Sequence, residues 1–136
     1  LLRILKVFYP LLEKSSSRIV VVNSVAARNY SEYSGFEYTA SKCALSGVVK
    51  QLAFDWKDKN IMINSIFPSM TLTPMLTKQI QNEKIDEIIE LLPLKKLAPM
   101  SDSARAIELC AAFTTGGWSK DGPAGTPFLG QSLALE

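Results

Sequence analysis

Histidine is absent from the 136 residues. Without it, neither a Ser-His-Asp triad, a Cys-His pair nor a histidine-based metal site can be built. Acid-base chemistry then falls to Tyr, Lys, Asp or Glu, and no metal site is expected. Cysteine is scarce, with Cys43 and Cys110 the only two. Both lie in apolar helical patterns, which predicts buried thiols in a reducing, cytoplasmic compartment. A strong charge of one sign is lacking too. The net charge is +2, which gives no reason to expect nucleic acid or a membrane surface as partner. No apolar run approaches the roughly 20 residues of a membrane span. The apolar start contains Arg3 and Lys6 and has no small-residue cleavage site, so it does not read as a signal peptide.

What remains is the composition of one ordinary globular domain, 47% hydrophobic and 21% charged. Leu1, Ile4, Leu5, Phe8, Leu11 and Leu12 recur at helical spacing and predict an amphipathic helix. Nothing ahead of Leu1 caps it, so the sequence is read as beginning within a helix. After a polar turn, Arg18 to Ser24 is a short run rich in β-branched residues, suited to a strand covered on both faces. A loop over 25–37 follows. From Tyr38 to about Asp58 the pattern is helical again, with a stripe of Leu45, Val48, Leu52 and Trp56 widened by Cys43, Ala44 and Val49. Ile61 to Phe67 is a second strand. Strand, long helix, strand is a βαβ unit, so the strands should be parallel with a right-handed crossover.

Pro68 to Pro74 is then a loop at the carboxyl end of that strand, the edge where open α/β sheets place ligands. One helix is predicted over 77–92, with Gln81, Ile85, Ile88, Ile89 and Leu92 on its apolar side and its charges in solvent. Another, capped by Ser101 or Ser103, should run to about Thr114 and stop at Gly116-Gly117. Ser119 to Thr126 reads as a loop and Phe128 to Leu135 as a last strand.

The sharpest chemical feature is Tyr38-Thr-Ala-Ser-Lys42. A spacing of four puts the phenol and the ammonium on one helical face, about one turn apart. A neighbouring ammonium favours the phenolate, so Tyr38 should exchange protons nearer neutral pH than a free phenol. Ser24 ends the preceding strand. Its hydroxyl can hydrogen-bond an oxygen on which charge develops, or it can simply satisfy backbone in a strand-end turn. Without a Gly-x-Ser-x-Gly elbow or a histidine, Ser24 is not a hydrolase nucleophile.

Arg-Ile-Val-Val-Val-Asn23-Ser24-Val-Ala, followed by Tyr38-Thr-Ala-Ser-Lys42-Cys-Ala-Leu, resembles the short-chain dehydrogenases/reductases. Ile61-Met-Ile-Asn64-Ser65-Ile-Phe-Pro68 is similar to their sixth strand, Thr73-Pro74-Met75 to their Thr-Pro-Met turn, and Leu129-Gly130-Gln131 to their last strand. The resemblance implies an α/β fold, a Rossmann-like doubly wound parallel sheet of which only the C-terminal half is present. Residues 1–136 would be the C-terminal part of a single domain whose dinucleotide-binding half is absent. It further implies Tyr38 as general acid-base, Lys42 as the group that lowers its pKa and binds the nicotinamide ribose, and Ser24 as the group holding the substrate oxygen. Pro68, Ser69, Thr71 and Thr73 would lie against the nicotinamide end of NAD or NADP. The implied reaction is hydride transfer between NAD(P)(H) and an alcohol or carbonyl substrate. The first helix and the Tyr38 helix resemble the family's dimer interface, implying a homodimer or homotetramer, and residues 71–93 its substrate lid.

Three departures accompany the resemblance. The glycine-rich phosphate loop and the Asn-Asn-Ala-Gly segment are not in the sequence. Ser69 stands where the family has Gly, which could crowd the nicotinamide or force another backbone angle. Ser24 and Tyr38 are one residue further apart than usual. The alternative reading is a non-catalytic or degenerate fragment acting as an oligomerising or regulatory module.

Overall fold

The computed structural model describes residues 1–112 and 132–135. Helix α1 (Leu2–Lys14) leads into strand β1 (Ser17–Val22) and a 3-10 turn (Val25–Ala27). Helix α2 (Phe36–Asp55) and strand β2 (Ile61–Pro68) follow. Helices α3 (Pro74–Gln79), α4 (Asn82–Leu91) and α5 (Met100–Ala112) precede strand β3 (Ser132–Leu135). The sheet order is β1-β2-β3 and both pairings are parallel. The fold is therefore α/β with the parallel pairing that the βαβ pattern predicts, in the Rossmann-like arrangement that the resemblance implies. Phe128 to Gln131 of the predicted last strand, the Gly116-Gly117 stop and the loop 119–126 lie outside the described residues.

β2 is central, and Ile61, Ile63, Ile66 and Phe67 are each at most 2% exposed. Because successive side chains alternate between faces, Ile61 and Ile63 meet α1 and α2, forming a core with Leu5, Val21, Val49, Ala53 and Trp56. Ile66 points to the other face, where α5 crosses β1 and β2 and buries Ala106. β1 has helices toward both faces, as expected, but it is covered less completely than expected. Its middle residues are half-buried and Val22 is exposed, because β1 pairs on one side only among the described residues.

Asn60 sets the β1–β2 junction. Its φ of 54° is left-handed, a conformation that Asn tolerates better than most residues. Its carbonyl accepts from the Ser17 amide at 3.1 Å and its side-chain oxygen from the Ser16 hydroxyl at 3.4 Å. Beside this turn, the Tyr9 hydroxyl donates to Glu13 at 2.9 Å and accepts from Lys59. That trio ties α1 to the foot of the sheet.

Several sequence expectations are displaced. The buried line of α2 runs through Val49 and Ala53 to Trp56 just beyond its end, and Cys43 and Ala44 are exposed. α1 buries Leu5, with Tyr9 and Leu12 packed against the core, and turns Leu2, Ile4, Val7, Phe8 and Leu11 outward. The predicted helix 77–92 is two helices broken at Ile80 and Gln81, both in extended backbone. α4 does bury Ile85 and Ile88 as expected. α5 begins at Met100, directly after Pro99, so Ser101 and Ser103 lie inside it and cap nothing. Cys43 is exposed and Cys110 half-buried, so neither is the fully buried thiol expected.

Candidate active site

The carboxyl ends of β1 and β2 lie side by side, with Val22 opposite Ile66 and the Asn23 amide donating to the Ile66 carbonyl at 2.9 Å. Parallel pairing thus delivers Ser24 and Pro68 to the same edge. At Ser24 the backbone is extended, and the next three residues curl into the 3-10 turn. The Ser24 Oγ accepts from the Ala26 amide at 3.2 Å, capping that turn. This is the strand-end role weighed for Ser24 above, and it uses only the acceptor capacity of the hydroxyl. The O–H proton stays available as a donor.

Tyr38 is the third residue of α2 rather than its start. It is 40% exposed. Lys42, one turn on, holds its ammonium 5.5 Å from the centre of the Tyr38 ring and donates to the Val22 carbonyl at 3.4 Å. The lysine therefore spans from the tyrosine on the helix to the strand that carries Ser24. The next helical residue binds the same region, because the Cys43 thiol reaches the Ala27 carbonyl at 3.5 Å. Past the turn, the Arg28 guanidinium stacks 4.5 Å above the ring of Phe67, which is buried at the end of β2.

Pro68, Ser69, Thr71 and Thr73 follow in chain order from the end of β2, and Pro68, Ser69 and Thr71 are half-buried. The Thr71 hydroxyl donates to the Ser69 carbonyl at 3.3 Å, and Thr71 forms an isolated parallel bridge with Ala98. Thr73 caps α3, accepting from the Leu76 amide at 3.2 Å, with Pro74 at the first helical position. Replacement of the family's Gly by Ser69 imposes no backbone strain. Among the described non-glycine residues, left-handed φ values occur only at Asn60 and Lys95.

The loop before α2 meets the start of α4 around a cavity of about 420 Å³ lined by Glu32, Tyr33, Ile80, Gln81 and Lys84. Lys84 lies 5.9 Å from the centre of the Tyr33 ring. Among the described residues, no cluster of His, Cys, Asp and Glu could hold a metal ion, and no helix is long and apolar enough to cross a membrane. Sequence reasoning gave Asn23 no role, although a polar residue between an apolar strand and a candidate site residue was a usable signal. It is buried, and its side-chain nitrogen donates to the Ser46 hydroxyl at 2.8 Å and the Lys42 carbonyl at 3.3 Å.

Residues 1–115 match the family described as enoyl-(acyl carrier protein) reductase. Acetoacetyl-CoA reductase of Acinetobacter sp. (strain RA3849) is 35% identical over 101 residues, 74% of this chain and 40% of the relative. The 7alpha-hydroxysteroid dehydrogenase of Escherichia coli (strain K12) is 33% identical over 104 residues, 75% of this chain and 40% of the relative. A solved 7 alpha-hydroxysteroid dehydrogenase complexed with NADH and 7-oxo glycochenodeoxycholic acid superposes with a TM-score of 0.75 at 29% identity, covering 96% of this chain and 48% of its own. ElxO with NADP bound superposes with a TM-score of 0.73 at 27% identity, covering 96% and 49%. The chain spans about 40% of the length of these curated relatives.

Proposed function

The chain belongs to the short-chain dehydrogenase/reductase family, and from that premise we propose that it forms the catalytic C-terminal part of a single-domain NAD(P)-dependent oxidoreductase acting on an alcohol or carbonyl substrate. The observation that carries this reading is Lys42, whose ammonium is held between the Tyr38 ring and the strand end that presents Ser24. Reduced nicotinamide, when bound, supplies the hydride. The residues of this chain hold the oxygen and move the proton.

In the direction of carbonyl reduction, Ser24 donates its free O–H to the substrate oxygen, and Tyr38 delivers its phenolic proton to that oxygen as the alcohol forms. The Lys42 ammonium stands beside the ring that has given up the proton. Oxidation of the alcohol runs the same proton path backwards. At the end of β2, the Thr71 oxygen keeps lone pairs free to accept, while the Thr73 hydroxyl, already accepting, keeps its proton free to donate. Such a pair suits a carboxamide, which both donates and accepts. Together with Pro68, Ser69, Tyr38 and Lys42, these two threonines are the residues assigned to hold NAD or NADP.

A second copy of the chain is the proposed partner. The outward apolar side of α1 supports this, with Ile4 61%, Val7 74% and Leu11 62% exposed. Light scattering coupled to size exclusion should give at least twice the monomer mass. The free thiols of Cys43 and Cys110 support a reducing, cytoplasmic location.

The test is oxidation of reduced nicotinamide by the full-length protein against a panel of carbonyl compounds, alongside Tyr38→Phe. The substitution should lower kcat by about 10²–10⁴-fold, the contribution typical of a positioned general acid. Equal, measurable rates for the two proteins would remove Tyr38 from the mechanism, and no oxidation by either would favour the non-catalytic module.

A further inference from the structure

The backbone of Lys42 is gripped as well as its ammonium. Two consecutive residues, Val22 at the end of β1 and Asn23 just after it, engage this one lysine at its two ends. The carbonyl of Val22 accepts from its Nζ at 3.4 Å, and the Nδ2 of Asn23 donates to its carbonyl at 3.3 Å. The same Nδ2 donates to the Ser46 hydroxyl at 2.8 Å, and that hydroxyl in turn lies 3.3 Å from the Lys42 carbonyl. Asn23 is 4% exposed. Its amide can point only one way, because the Lys42 carbonyl has no proton to offer and must face the nitrogen.

From this geometry we propose that Asn23 is a positioning residue, fixing the turn of α2 that carries Lys42 at a set height over β1 and so aligning Tyr38 and Lys42 with Ser24. Ser24 is the next residue in the chain, so the strand that presents the serine also locks the helix that presents the other two groups. Ser46 acts as the relay, accepting from Asn23 one helical turn beyond Lys42. A long lysine chain has large rotamer freedom in isolation. Fixing both its backbone and its ammonium restricts the ammonium to the side of the tyrosine, and a misplacement of about 1 Å in such an arrangement can cost on the order of 10²-fold in rate.

This inference rests on the proposed oxidoreductase reading, and the experiment separates the two. Full-length wild type, Asn23→Leu, Ser46→Ala and Tyr38→Phe are compared in carbonyl reduction, with folding monitored by circular dichroism. Trace acetylation of each protein, read by mass spectrometry, gives the reactivity of Lys42 relative to Lys50, an exposed lysine of the same helix. Asn23→Leu should lower kcat by about tenfold or more with little change in KM for the carbonyl, as expected when orientation rather than binding is lost. Its Lys42 to Lys50 acetylation ratio should rise severalfold as the lysine is released. Should Asn23→Leu not fold, Ser46→Ala carries the same two expectations, since it removes the acceptor of the shorter hydrogen bond. An unchanged acetylation ratio overturns the proposal, whether or not kcat falls, because any loss would then not pass through Lys42. Equal activity of wild type and Tyr38→Phe overturns the reading of the reaction instead, and the acetylation ratio alone then decides the role of Asn23.

Discussion

β1 and β2 lie side by side in parallel register, yet they are held in different ways. β1 is the richer in β-branched residues, with Ile19, Val20, Val21 and Val22 in succession, but only Ser17 and Val21 are buried along it. β2 carries Asn64 and Ser65 at its centre and is nonetheless buried at six of eight positions. The difference lies in the neighbours. β2 has a strand on each side, whereas β1 has one among the described residues. Composition makes a segment extended; its place in the sheet decides what is covered. β2 is thus anchored by apolar burial, while the end of β1 is fastened by side-chain hydrogen bonds of Asn23 and Lys42, with Ser24 capping the turn that follows.

Truncation of side chains is the strongest way to break this comparison. Ile63→Ala, at a fully buried site, should cost about 2–5 kcal/mol in denaturant unfolding through lost transfer energy and the cavity left behind. Val22→Ala, at a position 48% exposed, should change stability by no more than about 0.5 kcal/mol. Equal losses would show that the two strands share one burial environment. Thiol chemistry sharpens the contrast at the next level. Cys43 is exposed beside the end of β1, while burial on α5 pushes the Cys110 thiol above its ordinary range. Alkylation near neutral pH should therefore label Cys43 first, with Cys110 catching up only as the pH rises beyond the usual thiol range. Simultaneous labelling would contradict the packing of α5.

The smallest effect belongs to the foot of the sheet. The hydrogen bond to Tyr9, aided by the Glu13 carboxylate, holds the Lys59 ammonium above its ordinary range. A group raised on folding contributes stability that is fully present below its unfolded pKa and is lost as pH rises through the folded value. Wild type should therefore lose stability against Lys59→Met only in strongly alkaline solution. The gap between their melting temperatures should be flat through neutral pH. The group lies at the solvent-exposed surface, so the gap itself should be slight.

The strands and the long helix were legible because their cues are local: a β-branched run, a helical stripe, and a second run after the Lys59–Asn60 turn. The pairing of Tyr38 with Lys42 was legible for the same reason, since four residues along a helix fixes their side. The break at Ile80–Gln81 was not, because the apolar period continues across it without Gly or Pro. The start of α5 was misplaced because Ser101 and Ser103 look like caps, while Pro99 just before Met100 marks the boundary instead. Exposure failed most clearly. Cys43 and the Ile4, Phe8 and Leu11 side of α1 sit in apolar patterns whose facing depends on partners that periodicity does not specify. Asn23 was hidden because its acceptors lie 19 and 23 residues away in the chain.

The left-handed bend at Asn60 bears on residues far above it. Six aligned pairs separate that bend from the rim of the candidate site, Ser17 with Ile61 through Val22 with Ile66. At about 3.3 Å of rise per residue they form a stiff ladder roughly 17 Å tall. A bulky β-branched replacement at Asn60, just below the lowest rung, would resist the bend. The whole ladder would then tilt or slip, and Ser24 and Pro68 would part company at the top. A residue at the foot of the sheet thereby acts as the levelling screw of the rim.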